Sequence, residues 1–264
     1  MRAPPFGILM FSMVALVFLS GCTADPGNNT DPYRGVMNAY LLSELERVRG
    51  GDYTVLDLVV ENPSSYDLYT EDRYDVTAKI SSLGLFDTSS ETKEQTADMR
   101  GVRKKTFSWK LVAPDDLAAQ ADTTVRVRLQ VERTATFTMP PIIFADQEYA
   151  TSREVAGNPI PKGSTQVVFS DNFVDVYVDL NQAPPITTDS VHGNVKFVPK
   201  GNGLIDIGSI SMPKGTCRDI DKVAKTASCE FKANPDTMVE ETFQMKISYT
   251  YKLDLEKSLA IYPY

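Results

Sequence analysis

Histidine is nearly absent from this chain. His192 is the only one in 264 residues, beside three cysteines and one tryptophan. A lone imidazole cannot form the paired histidines of a transition-metal site, and it leaves one candidate base for chemistry near neutral pH. Ser190 and Asp189 stand beside it in Asp189-Ser190-Val191-His192-Gly193, but no Gly-x-Ser-x-Gly elbow or other nucleophile motif accompanies them. The glycine that follows places His192 in an exposed turn. Cations are also in deficit, with 27 Lys and Arg against 35 Asp and Glu and a formal net charge of -8. Nucleic-acid binding needs clustered Lys and Arg to neutralise phosphates, so no nucleic-acid partner is expected. A phosphate loop, a dinucleotide fingerprint and a basic stripe are all missing.

Acidic neighbours do occur, at Asp115-Asp116, at Asp219 with Asp221 and at Glu240-Glu241, yet among 35 acids they are expected by chance. A glycosidase would need two carboxyl groups about 5 or about 6.5–9.5 Å apart, which spacing in sequence does not establish. Asp171, Asn172, Asp219 and Asp221 are the best oxygen ligands for calcium, but no loop has Asp-x-Asp-x-Asp-Gly spacing, and solvated turns account for them. The reading is therefore not an enzyme, with no catalytic residue, no cofactor and no metal.

The one long apolar run covers residues 6–19, follows a single charge at Arg2 and closes on Leu19-Ser20-Gly21-Cys22. It is shorter than the roughly 18 residues that span a bilayer, and small residues at its end mark a cleavage site. Residues 1–21 thus read as a secretory signal peptide. Leu19-Ser20-Gly21-Cys22 also resembles the lipobox of prokaryotic membrane lipoproteins. The resemblance implies that Cys22 becomes the first mature residue and carries a lipid on its sulfur, the alternative being an uncleaved signal anchor with an ordinary cysteine. The expected location is extracytoplasmic, lipid-anchored to the cell membrane. An acidic body is repelled by anionic head groups, so the membrane partner is reached through the lipid anchor.

Outside the cytoplasm the two remaining thiols, Cys217 and Cys229, are expected to pair, closing a short loop worth about 3 kcal/mol on chain-entropy grounds. A two-thiolate metal site would need a histidine or third cysteine nearby, and there is none. The polar stretch 218–222 between them reads as a loop joining two strands.

Residues 22–35 are rich in Asp, Asn, Pro and Gly and read as a flexible tether carrying a glycosylation sequon at Asn28. Over 36–50, Met37, Leu41, Leu45 and Val48 recur at spacings of four, four and three, which predicts a short amphipathic helix stopped by Gly50-Gly51. Thereafter the period is two. Alternating strands are expected over 53–61, 75–81, 106–112, 125–132, 173–180, 195–198, 204–211, 242–253 and 255–262, with turn signals between them. Strands without alternating helices mean an all-β, antiparallel sandwich fold.

The halves echo each other. Leu83-Gly84-Leu85-Phe86-Asp87 answers Asn202-Gly203-Leu204-Ile205-Asp206 at an offset of 119, and 124–144 answers 242–262 at 118. Two tandem immunoglobulin-like sandwiches, 51–150 and 164–264, are expected on either side of a proline-containing linker at 151–163. The pattern is similar to the extracellular Ig-like and CARDB-like β domains of archaeal and bacterial surface lipoproteins. The antibody core disulfide is not reproduced, because Trp109 has no flanking cysteine pair. Tyr262, Pro263 and Tyr264 end the sequence on an aromatic tail that serves either a protein or glycan contact or the packing of the last strand. The functional expectation is a non-catalytic surface lipoprotein displaying a binding surface for envelope proteins, filaments or glycans. The alternatives are an accessory subunit of a membrane-bound transport or assembly complex, and a hydrolase. Oligomeric state is left open.

Overall fold

The computed structural model describes residues 37–61, 74–88 and 93–264; the expected signal peptide, the tether, Cys22 and Asn28 lie outside the described residues. In chain order the strands are β1 (Asn38–Ser43), β2 (Arg47–Arg49), β3 (Tyr53–Glu61), β4 (Asp75–Ser82), β5 (Asp87–Thr88), β6 (Glu94–Asp98), β7 (Lys104–Val112), β8 (Ala121–Thr138) and β9 (Ile142–Ala145). After the helix α1 (Gln147–Val155) come β10 (Gln166–Ser170), β11 (Val174–Leu180), β12 (Ser190–Pro199), β13 (Leu204–Ser211), β14 (Gly215–Asp221), β15 (Thr226–Lys232), β16 (Met238–Glu241) and β17 (Gln244–Tyr262). The fold is all-β and of antiparallel sandwich type.

Three larger sheets and a two-stranded one, β16-β9, make the described body. A four-stranded sheet runs β1-β3-β7-β5, a five-stranded sheet β10-β11-β12-β15-β14, and a six-stranded sheet β13-β17-β8-β4-β6 with β2 added alongside β17. The last is built on one uninterrupted antiparallel ladder, from Gln244↔Thr138 to Ile261↔Ala121, about 60 Å long at the rise of an extended chain. Alternation explains why it holds its register. From Thr123 to Phe137 every odd-numbered residue of β8 is buried and the even ones face outward, so a slip by one residue would expose the whole apolar set. Opposite it, β3 and β7 bury Leu56, Leu58, Phe107 and Trp109, while β11 and β12 bury Val176, Val178, Val195 and Phe197.

The expected division into separate domains 51–150 and 164–264 is corrected by this sheet. The described residues form one compact unit, and β8 and β4 share a sheet with β17 and β13. The segments that looked like equivalents in two copies, 124–144 and 242–262, include strands that pair directly with each other. Their likeness has a physical cause: neighbours bury the same face and so share one alternation.

The helix expected over 36–50 is also absent; that segment contains β1 and β2. Met37 and Val48 are buried, but Leu45 is 47% exposed, so the helical stripe is not the set that goes inside. β1 pairs along β3, β2 pairs in parallel with the end of β17, and the link between them is tied down by the buried Thr54 hydroxyl, which accepts from Leu45 N–H and donates to Leu45 C=O. The helix that does form, α1, overlaps the expected linker 151–163. Asp146 caps it by accepting from Glu148 and Tyr149 N–H, and none of its residues is buried.

Candidate functional site

Arg133 stands at an inward position of β8. Its side chain is 6% exposed, and its Nε lies 3.1 Å from Oδ2 of Asp171, whose side chain is 10% exposed. Asp171 sits in the turn between β10 and β11. Its Oδ1 accepts from Phe173 N–H at 2.8 Å and Val174 N–H at 2.9 Å, and its Oδ2 also accepts the Tyr249 hydroxyl. The Arg133 guanidinium lies 5.7 Å from the ring centre of Tyr74 and 5.4 Å from that of Phe173, which meet edge to face at 5.2 Å. Tyr251 packs on Phe173 and donates its hydroxyl to Lys200 C=O; burial pushes its phenol pKa above the ordinary value. Gly203 permits this packing, because a Cβ there would fall 2.0 Å from the Tyr251 ring.

This cluster draws Tyr74 and Arg133 from one half of the sequence and Asp171, Phe173 and Tyr249 from the other. Both oxygens of Asp171 are engaged by donors, which makes it an anchor for the β10–β11 turn rather than a base or a metal ligand. The adjoining cavity, about 340 Å³, is an open polar recess lined by residues that include Glu132, Thr134, Asp206 and Lys222. Sequence reasoning considered Asp171 only as a calcium ligand and missed Arg133. The signal was present: continuing the alternation of 125–132 by one residue turns Arg133 inward.

His192 is not in a turn, as its glycine neighbour suggested. It is an exposed residue of β12, opposite Glu230 of β15. The Glu230 carboxyl is held below its ordinary pKa, first by a hydrogen bond from Lys232 and then by one from Ser190, with the charges of Lys232 and His192 adding. Ser190 thus sits beside this carboxylate, and neither residue lines the 340 Å³ cavity. Asp221 accepts from Val223 and Ala224 N–H in the β14–β15 turn, on a different hairpin from Asp171. Among the described residues no three His, Cys, Asp or Glu side chains gather as a metal site. Glu241 is paired with Lys214 at 2.6 Å.

Cys217 and Cys229 form a disulfide between directly opposed positions of β14 and β15. The stretch expected as a loop is corrected here too: Arg218–Asp221 continues β14, leaving only a short turn before Thr226. Tyr262 ends β17 beside β2, where Arg47 and Arg49 stack on Tyr262 and Tyr264. No helix among the described residues is long and apolar enough to cross a membrane. The fold defines the class as an all-β protein of antiparallel sandwich type. No protein-family model matches the chain, and no curated protein matches it.

Proposed function

We propose that this chain is a non-catalytic surface lipoprotein, anchored outside the cytoplasm by a lipid on Cys22, whose β body presents a binding surface to envelope proteins, filaments or glycans. The observation that carries the reading is Leu19-Ser20-Gly21-Cys22 at the end of a short apolar run, ahead of a disulfide-bonded all-β body. A continuous ladder about 60 Å long suits display, because it holds loops and strand edges in fixed positions. The test is fractionation of cells expressing the protein or its Cys22→Ser variant. The parent is expected in the membrane fraction, and the variant is expected either uncleaved or released. A variant that is processed at residue 22 and still sediments with membranes would refute the lipid anchor.

A second reading, an accessory subunit of a membrane-bound transport or assembly complex, draws on β10. This edge strand carries no charge, Pro or bulge, and its Val168, 55% exposed, lies opposite Tyr177, 42% exposed. Unguarded apolar edges invite strand pairing with another chain. In-cell crosslinking through β10 to one reproducible membrane protein is the result that reading requires, and Val168→Glu should abolish it.

A further inference from the structure

The end of the six-stranded sheet where β2 lies along β17 carries two cations that form no salt bridge among the described residues. β2 turns Val48 into the core and leaves Arg47 and Arg49 exposed, about 7 Å apart along the strand. The Arg47 guanidinium lies 5.9 Å from the ring centre of Tyr262, and that of Arg49 lies 4.3 Å from the ring centre of Tyr264. The acid adjacent to Arg47 is committed elsewhere. Glu46 receives a 2.8 Å hydrogen bond from Lys257, which chiefly holds its carboxyl below the ordinary pKa, with the charges of Lys257 and then Arg47 adding. Other exposed arginines of this sheet are neutralised, Arg126 by Glu256 and Arg128 by Asp254. In a chain of net charge -8, two guanidiniums outside any salt bridge among the described residues, held side by side on aromatic rings, form a local anion-binding element rather than part of a basic surface.

We propose that Arg47, Arg49 and the tyrosines beside them bind a carboxylated polysaccharide, a chain of uronate type. Each guanidinium presents a planar fork that matches a sugar carboxylate bidentately. The ring that orients it offers flat, rigid, amphipathic area for the C–H face of the same or the next sugar, and the Tyr264 side is open, with that residue 82% exposed. An acidic peptide would use the charges but not the ring faces, and a neutral glycan would leave both guanidiniums without an acceptor. The inference gives the partner of the display reading a chemical class, and it rests on that reading for the site to meet an extracellular glycan.

The test is affinity electrophoresis of the native full-length protein, taken from whichever cell fraction holds it, so that the result is independent of the anchor. Polygalacturonate in the gel should retard the protein, and dextran should not. Arg47→Ala combined with Arg49→Ala should weaken retardation at least tenfold, whereas Arg49→Lys, which keeps the charge but loses the fork, should fall between. Arg126→Ala, which breaks a neutralised pair on the same sheet, should match the parent. All three positions are exposed, and unchanged fluorescence of the buried Trp109 reports intact folding. No retardation by polygalacturonate, equal retardation of the double variant, or equal retardation by dextran would overturn the proposal. So would displacement by polyaspartate at the same carboxylate concentration, which would identify an acidic peptide instead. Retardation of a protein found free of membranes would support this site while refuting the anchor.

Discussion

Asp171→Ala should destabilise the protein by about 3–5 kcal/mol, the range for breaking a buried ion pair by removing one member. The structure sets the terms. The substitution strips Arg133 of a carboxylate 3.1 Å from its Nε while the guanidinium stays enclosed between Tyr74 and Phe173. It also orphans the N–H groups of Phe173 and Val174 and the hydroxyl bond from Tyr249. For a body of this size each kcal/mol moves the midpoint about 2–4 °C, so Tm should drop by roughly 6–20 °C. The assay is urea unfolding followed by the fluorescence of Trp109, the single tryptophan, which is fully buried. Replacing both partners, Arg133→Met with Asp171→Leu, should recover the share of the loss that comes from breaking the buried ion pair, but not the share that comes from the Phe173 and Val174 N–H groups losing their acceptor. A loss under about 1 kcal/mol for Asp171→Ala, or a double variant no better than the single, would refute the claim that this buried pair ties the halves together.

Three further expectations follow from the same structure. The Asp254 carboxyl is held below its ordinary pKa, chiefly by its hydrogen bond from Arg128. A depressed carboxyl contributes stability above its unfolded pKa, near 4, and loses it as pH falls through the folded value. Asp254→Asn should therefore cost at most about 1 kcal/mol at pH 7, this being an exposed pair, and the cost should vanish as acid protonates the folded carboxyl; a cost that persists at the acid limit would exclude the ion pair as its source. Cys217→Ser with Cys229→Ser should lower stability by about 2–3 kcal/mol, and alkylation of the unfolded, unreduced parent should label neither position. Gly203→Ala should disrupt packing because its Cβ would meet the Tyr251 ring at 2.0 Å, whereas Gly157→Ala, with nothing within 4 Å, should show only the cost of a φ of 72°. Equal Tm shifts for the two would refute the packing argument.

Strands with one wet face were the most legible part of the sequence. β3 and β13 fall on the expected 53–61 and 204–211, and β7, β8 and β11 include or adjoin their expected spans. Alternation fails where burial is not one-sided. β1 has the consecutive Tyr40-Leu41-Leu42, all partly accessible or exposed, so the four-residue spacing of Met37, Leu41 and Leu45 dominated the reading although pairing with β3 decides the conformation. The expected break between 242–253 and 255–262 vanished for a related reason. Asp254 is an outward residue of a continuous strand, bonded to Arg128 across the ladder, and only the partner strand makes that visible. The cysteine pairing was accessible from compartment logic, whereas its register was not. Asp171 and Arg133 were visible as residues, but their meeting depends on a turn that folds back onto β8. Arg47 and Arg49 lay inside the expected helix, which hid that alternate residues of a strand face the same way.

The most direct test of the display account is intact mass spectrometry of the protein purified from membranes of its native host or a lipoprotein-processing prokaryote. The account predicts a chain beginning at Cys22, residues 1–21 absent, with a thioether-linked lipid on that cysteine. A chain that retains its first residues, or one that begins at Cys22 with a free thiol and is recovered from the soluble fraction, would contradict it.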